Sequence, residues 1–136
     1  RILLYIIDKI NEFENAKGAP ATIKERFSLL TEILSDLSKN NKLNIMIYDG
    51  DLTYIHSNMR KSLYYLKSDD GFLVASTPVN DDEGWMEVEL NKVFALIDGN
   101  IIFESEAHDN EFVFTEYHEK LMEEYLKSLN PDDADD

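Results

Sequence analysis

The middle of the chain, residues 43–104, alternates short runs of aliphatic and aromatic residues with polar turn pairs. Three of these pairs are Asp-Gly, and each lies between two apolar runs: Asp49-Gly50, Asp70-Gly71 and Asp98-Gly99. A two-residue turn of the mirror-image type requires a positive φ at both central residues, which Asp and Gly tolerate well. The pattern therefore predicts three consecutive β-hairpins, which together make an antiparallel sheet system.

The predicted strands pair as residues 43–48 with 52–56, 63–66 with 72–76, and 92–97 with 101–103. One of them, Phe72-Leu73-Val74-Ala75, has no alternation of polar and apolar positions. Such a run is typical of a strand that is covered on both faces. It therefore predicts layers on both sides of its sheet.

Helices are predicted before and after this sheet region. The first has five apolar residues at helical spacing, namely Leu3, Ile6, Ile7, Ile10 and Phe13. The second begins at a capping box formed by Thr22 and Glu25 and extends to about residue 40. A third is expected after Thr115, because four residues share one helical face: Tyr117, Leu121, Tyr125 and Leu129. Residues 112–114 suit either a short strand or a hydrophobic plug.

These elements define an α+β fold in which antiparallel β-hairpins pack with helices. Residues 1–105 are expected to form the principal unit, and residues 106–136 to add an extra C-terminal helix and an acidic tail. The tail carries Asp132, Asp133, Asp135 and Asp136 after Pro131. The chain begins at Arg1, inside an apolar helical pattern and without a capping residue, which predicts that it is part of a longer protein.

Composition excludes several classes of partner. A formal net charge of −15 without clusters of Lys and Arg argues against binding to nucleic acid or to an anionic membrane surface. The sequence contains no run of eighteen or more apolar residues, so it does not predict a membrane-spanning helix. The chain contains no cysteine, which excludes a disulfide framework, a Cys-ligated zinc and a cysteine nucleophile within these residues. The compartment stays open, with the cytoplasm as the default expectation.

Candidate chemical groups are sparse. The three histidines, His56, His108 and His118, do not occur at zinc-ligand spacing, and we expect His56 to have a structural or surface role. The run Asp81-Asp82-Glu83 lacks the alternating oxygen ligands of a calcium loop, so a solvated loop is favoured. The sequence predicts no catalytic, cofactor-binding or metal-binding residue in this chain.

An ordered set of motifs resembles a known family. Residues Asn44-Ile45-Met46-Ile47-Tyr48-Asp49-Gly50 resemble the N-x-x-x-x-D-G hairpin in the C-terminal half of class II glutamine amidotransferase domains. Tyr54-Ile55-His56-Ser57 and Leu63-Tyr64-Tyr65-Leu66 continue the resemblance. Val74-Ala75-Ser76-Thr77-Pro78-Val79, followed by Glu83-Gly84-Trp85, is similar to the V-A-S-x-P-L … x-G-W segment of the family's stand-alone members. The matches span about residues 1–104.

The resemblance implies the fold of the N-terminal nucleophile hydrolases, a four-layer α/β/β/α sandwich. Members of the family hydrolyse glutamine to glutamate and ammonia, using an N-terminal cysteine whose own α-amine is the base. That cysteine, the oxyanion donors and the groups that hold the substrate all precede the helix that resembles residues 2–13. None of them matches a position here, so no catalytic residue is carried over and no cofactor is implied.

Three hypotheses follow. In the first, the chain is the scaffold half of a glutamine amidotransferase-like protein, and its partner is the missing N-terminal half or a second copy of the chain. Glutamine is then the substrate of the full-length protein. In the second, the chain is a non-catalytic, acidic binding or assembly module that keeps the same fold. The third, an acidic metal-binding protein, rests on charge alone.

Overall fold

The computed structural model describes residues 1–81 and 83–129. Its helices are α1 (Ile2–Lys17), α2 (Ile23–Leu37) and α3 (Glu116–Leu129). Its strands are β1 (Ile45–Tyr48), β2 (Thr53–His56), β3 (Tyr64–Ser68), β4 (Gly71–Ala75), β5 (Met86–Glu87), β6 (Val93–Ile97) and β7 (Asn100–Glu104). The predicted α+β class, with antiparallel hairpins and helices, is confirmed. The predicted acidic tail and Asp82 lie outside the described residues.

The predicted capping box sets the start of α2. The Thr22 hydroxyl accepts a hydrogen bond from the Glu25 N–H, and the Glu25 carboxylate accepts one from the Thr22 N–H, both at 3.1 Å. These two bonds satisfy donors that the first turn of a helix leaves without partners. From this fixed start, α2 buries Leu30, Ile33 and Leu34 against the sheet.

The strands form two antiparallel sheets. Sheet A has four strands in the order β1-β2-β6-β7, and sheet B has three in the order β4-β3-β5. Strand β2 pairs with β6, with His56 opposite Val93. All three strands of sheet B therefore lie, in sequence, between two neighbouring strands of sheet A.

The predicted hairpins are present, but only one has the predicted turn. Asp98 and Gly99 have φ of 50° and 76° and join paired Ile97 and Asn100, as a two-residue mirror-image turn requires. Asp49-Gly50 instead belongs to a four-residue loop, because Tyr48 pairs with Thr53. In the middle hairpin the turn residues are 69 and 70, since Gly71 itself pairs with Ser68.

Sheet A separates two hydrophobic clusters. On one face, Leu52, Tyr54, Val93 and Ala95 join the buried residues of α1 and α2. On the other face, Ile55, Phe94 and Leu96 pack with Val88 and with side chains of sheet B. Neighbouring residues of β2 and β6 point to opposite faces, so helices cover one face of sheet A and sheet B packs on the other. The expected four-layer sandwich stays a prediction.

The expectation that Phe72-Leu73-Val74-Ala75 is covered on both faces is wrong for this chain. Leu73 is 51% exposed, because β4 is an edge strand of sheet B and only Phe72 and Val74 point towards sheet A. The strands with two covered faces are β2 and β6, where seven of the nine residues are buried. An apolar run therefore indicates a strand with two covered faces correctly for β6 but incorrectly for β4.

Several apolar side chains stay exposed on the described surface. Helix α1 buries Ile6 but exposes Leu3, Leu4 and Ile7. Helix α3 buries none of its residues. Residues 112–114 form no strand, and β5 was not anticipated from the sequence. None of the helices within residues 1–81 and 83–129 is long and apolar enough to cross a membrane.

Candidate functional site

A cleft lies between the two sheets. Its cavity has a volume of about 320 Å³, at the lower end of the range of small-molecule sites. Apolar side chains from both sheets line it: Ile55, Phe94, Leu96 and Ile101 from sheet A, and Tyr65, Phe72 and Met86 from sheet B. The rings of Tyr65 and Phe72 are stacked, with their centroids 5.3 Å apart. The cleft therefore offers an aromatic wall to any occupant.

The lining of this cleft is acidic at its polar end. Glu87, Glu89 and Glu104 contribute to it. Lys92 Nζ lies 3.1 Å from Glu89 Oε1 and 2.8 Å from Glu104 Oε1, which raises the pKa of Lys92, chiefly through the bond to Glu104. Glu87 Oε1 accepts the Lys61 N–H at 2.6 Å. Glu89 and Glu104 thus share one ammonium group, so this group of three charges is negative by one unit.

A second cavity, of about 680 Å³, opens between the β1 and β4 edges of the two sheets. Its wall includes Met46 and Tyr48 of β1 and Leu73 of β4, all three more than half exposed. Unpaired edge strands with apolar side chains are the sites where further strands or other chains add to a sheet. This edge is therefore one open side of the two-sheet assembly.

A pair of histidines, one buried and one half-buried, lies at the opposite end of β2 from the first hairpin loop. His56 is fully buried, and its Nδ1 lies 2.7 Å from the Leu43 carbonyl oxygen. Its Nε2 lies 2.9 Å from Nε2 of His108. The Asn110 N–H donates to His108 Nδ1 at 3.0 Å. The two rings thus connect the core to the segment that leads to α3.

These contacts determine where the protons reside. A carbonyl oxygen can only accept, so His56 carries its proton on Nδ1. A backbone N–H can only donate, so His108 Nδ1 is unprotonated, and the neutral ring carries its proton on Nε2. His108 Nε2–H then donates to His56 Nε2. Burial lowers the pKa of His56 to about 4 and also lowers the pKa of His108, which favours this neutral pair.

Asn58 adds a second buried connection beside the histidines. It has no exposed surface, and its Oδ1 accepts the Leu43 N–H at 2.8 Å. Its Nδ2 donates to the carbonyl oxygens of Asn41 at 2.8 Å and Asn110 at 2.9 Å. A single amide therefore links three segments that are distant in sequence.

A charged cluster fastens the β1–β2 loop to α2. Arg26 Nη1 donates to Asp49 Oδ2 at 2.8 Å, and Nη2 donates to Asp51 Oδ2 at 2.7 Å. The Tyr54 hydroxyl donates to Asp49 Oδ2 at 2.7 Å, and the N–H groups of Asp51 and Leu52 donate to Oδ1. Burial alone would raise the pKa of Asp49, but these donors outweigh it and the pKa is lowered.

His56, for which a structural or surface role is expected, is fully buried, and its contact with His108 was not anticipated. The two residues are 52 positions apart, and nothing local in the sequence signals their contact. His118 contacts Phe112 and Phe114 and lies apart from this pair. Within the part of the chain that the structure describes, no group of three His, Asp or Glu residues could hold a metal ion.

The chain was also compared with known proteins. No model of a protein family, no curated protein sequence and no solved structure matches it. The resemblance to the amidotransferases therefore rests on the motifs of the sequence itself.

Proposed function

We propose that this chain is the scaffold part of a class II glutamine amidotransferase-like protein, whose full-length form hydrolyses glutamine to glutamate and ammonia. The observation that carries the proposal is where the motif residues fall. The N-x-x-x-x-D-G match runs along β1 into its loop, the next two matches enter β2 and β3, and the V-A-S-x-P match leaves β4. The motifs thus lie on strands of both sheets rather than in one local segment.

One motif residue has a specific structural task. Asp49 accepts four hydrogen bonds, from the loop backbone, Tyr54 and Arg26, and so joins the first hairpin to α2. An Asp at this position is useful because its short side chain can accept from the backbone two and three residues ahead. The D-G pair of the motif therefore serves the framework of the fold, which agrees with a scaffold role.

In this proposal the reacting groups come from residues outside this sequence. The cysteine nucleophile, its α-amine base and the oxyanion donors belong to an N-terminal half. The open β1 and β4 edges, with Met46, Tyr48 and Leu73, suit such a partner or a second copy of the chain. A cytoplasmic location belongs to the proposal, because a reactive cysteine persists as a free thiol in a reducing compartment.

The test is a labelling experiment on the full-length gene product. A glutamine-mimicking covalent inhibitor should modify an N-terminal cysteine, and free glutamine should protect that cysteine. Glutamate and ammonia should form in equal amounts. A control with the cysteine changed to alanine should lose both the label and the activity while its circular dichroism stays the same. A folded full-length protein that shows no label and no ammonia release would refute the proposal.

The aromatic, acidic cleft favours a second candidate, a binding module for small organic cations. An ammonium group over the face of Tyr65 or Phe72 gains a cation–π attraction, and Glu104 and Glu89 add a negative field. Titration with hexylammonium should shift the NMR signals of Tyr65 and Phe72, whereas hexanoate, of the same length, should not. Equal responses to both probes, or none, would exclude this candidate.

A further inference from the structure

The segment between β7 and α3 is held by polar contacts rather than by secondary structure. We call residues 106–114 the strap. The His108 N–H donates to the Asn91 carbonyl at 2.9 Å, and the Phe112 N–H donates to the Asn58 carbonyl at 2.7 Å. The backbone carbonyl of Asn110 accepts a hydrogen bond from Asn58 Nδ2, and Asn110 Nδ2 donates to the Ser35 carbonyl at 3.0 Å. The strap therefore depends on a few directional bonds clustered around the histidine pair.

A further proton on either histidine would have no hydrogen-bond acceptor. His56 Nε2 and His108 Nε2 are 2.9 Å apart, and one proton lies between them. A second proton on His56 Nε2 would face the Nε2–H of His108. A proton on His108 Nδ1 would face the Asn110 N–H that donates to it. Each possible protonation thus replaces a hydrogen bond by a contact between two donors.

The groups around the two rings do not relieve this conflict. Helix α2 and the residues that follow it contribute the Ser38 hydroxyl, 3.4 Å from His108 Nε2, and the segment before β1 contributes the Leu43 carbonyl. The turn before β6 contributes the backbone of Asn91. The charged group that acts on His108 is Asp109, which raises its pKa but is outweighed by burial, and on His56 it is His108 itself. The neutral pair is thus the state that the folded protein favours.

We propose that the His56–His108 pair is a proton-sensitive clasp, which holds the strap on the core when both rings are neutral and releases the strap, with α3, on acidification. The proposal goes beyond the proposed function and does not depend on it. Release of the strap also breaks its hydrogen bonds to Asn58, Asn91 and Ser35, whereas α3 follows without loss of buried surface because it buries none of its residues. A two-state element is thereby coupled to the protonation of buried histidines, as in other pH switches.

The sign of the effect follows from proton linkage. A histidine exposed to solvent has an ordinary pKa of 6.5, whereas His56 in the clasped state has a pKa lowered to about 4. The released state therefore binds more protons below pH 6.5, and stability of the clasped state falls as the pH decreases. The contribution is fully present above pH 6.5 and is lost progressively between pH 6.5 and pH 4.

The test is amide hydrogen exchange, expressed as protection factors so that the intrinsic pH dependence is removed. The Phe112 amide reports on the strap, and the Ala95 amide, in the centre of sheet A, reports on the core. From pH 7 to pH 5 the protection of Phe112 should fall at least about tenfold, while Ala95 stays protected. Unchanged protection of Phe112, or simultaneous loss at both amides, would overturn the proposal.

Two matched variants distinguish a pH response that arises from the His56–His108 pair from one that arises from His118. His108→Gln keeps a neutral amide that can donate or accept by turning over, so the Phe112 amide should lose most of its pH response. His118→Gln makes the same chemical change at a histidine that packs on Phe112 but lies outside the clasp, so it can lower the protection of the Phe112 amide at every pH but should leave its dependence on pH unchanged. A persistent response in His108→Gln would refute the clasp. So would a response that His118→Gln abolishes.

A measurement on the unmodified chain guards against poor folding of the His108→Gln variant. Imidazole ¹⁵N NMR at pH 7 should show His56 protonated on Nδ1 and His108 protonated on Nε2. The two tautomers are assigned from different partners, the Leu43 carbonyl and the Asn110 N–H, and both assignments agree with one proton between the two Nε2 atoms. The reverse tautomer at either ring, or a charged ring at pH 7, would overturn the proposal.

Discussion

Asp49 shows how one side chain can determine a local structure that a dipeptide pattern misassigns. Its Oδ1 accepts the N–H groups of Asp51 and Leu52, and this bonding accompanies a four-residue loop in place of a two-residue turn. Its Oδ2 accepts from Arg26 and Tyr54. The side chain of Asp49 is 14% exposed and that of Arg26 is 16% exposed. This interaction therefore lies largely out of water, where ion pairs are least screened.

Asp49→Asn should lower the free energy of unfolding by about 1–3 kcal/mol, because it replaces the more buried of the two carboxylates that pair with Arg26 by a neutral amide, while Asp51 stays in place. Denaturant unfolding followed by tryptophan fluorescence measures the change. Asp69→Asn makes the same change at an exposed turn residue and should have an effect within about 0.5 kcal/mol of zero. Equal effects of the two variants would contradict a structural role for the Arg26–Asp49 pair.

The buried residues of the candidate site could be predicted only in part. Local sequence predicts a turn at Asp49 and a structural or surface role for His56 at the end of its strand. The contacts His56–His108 and Asn58–Asn110 each join residues 52 positions apart. A single sequence carries no signal for such pairs, because each residue is ordinary in its own local context.

At the scale of elements, local signals proved the most dependable. The capping box of Thr22 and Glu25 forms as expected, since all its atoms lie within one helical turn. The strands also form close to their predicted positions. The burial of β4 was mispredicted because it depends on whether β4 is an edge strand, and the order of strands is a non-local property.

Thr22→Ala should reduce stability by about 1 kcal/mol, because it removes the acceptor of the Glu25 N–H at the start of α2. Thermal unfolding measured by circular dichroism would detect the loss. Ser28→Ala, at an exposed position of the same helix, is the control and should be neutral or stabilising by a few tenths of a kcal/mol. A destabilised Ser28→Ala variant would show that the helix responds to more than its cap.

Gly99 and Gly18 offer a comparison of two left-handed glycines. Their φ angles are 76° and 77°, but a Cβ on Gly99 would lie 3.4 Å from Phe72 Cβ, whereas one on Gly18 would meet nothing within 4 Å. The backbone penalty of an alanine should be about 1–2 kcal/mol at both sites. Because 3.4 Å is a normal van der Waals separation, we expect the two variants to differ by less than about 0.5 kcal/mol.

Chemical denaturation of the Gly99→Ala and Gly18→Ala variants measures the loss of unfolding free energy at each site, and the difference between the two losses measures the contact with Phe72. A much larger loss for Gly99→Ala would show that the turn and β4 approach each other more tightly than this distance indicates. A negligible loss for either variant would contradict its left-handed conformation.

At the scale of the whole molecule, helix α3 presents an unusual arrangement. Six large apolar residues of α3 are exposed: Tyr117, Leu121, Met122, Tyr125, Leu126 and Leu129. At 100° per residue they occupy one half of the helix, and the four Glu and two Lys residues occupy the other. An isolated helix of 14 residues is marginally stable in water, so such a face normally requires a partner.

The chain should therefore self-associate or bind a further segment as its concentration rises. Sedimentation velocity over a wide concentration range should show dimers or larger species, and Leu121→Lys should weaken their formation. Glu123→Gln changes the net charge by the same single unit on the polar side and should leave association unaffected. A chain that stays monomeric at the highest concentration would count against the partner proposed for the open sheet edges and for α3.

The pairing of β2 with β6 has a consequence for how this protein can be altered. His56 and Val93 are paired across the ladder, so residues 57–92 leave sheet A at the end of β2 and return to it at the adjacent start of β6. Sheet B is therefore an insertion between two paired strands of sheet A, and it covers the face that carries Ile55, Phe94 and Leu96. Its loops can lengthen, or be exchanged for those of another protein, without disturbing the order of the strands beneath.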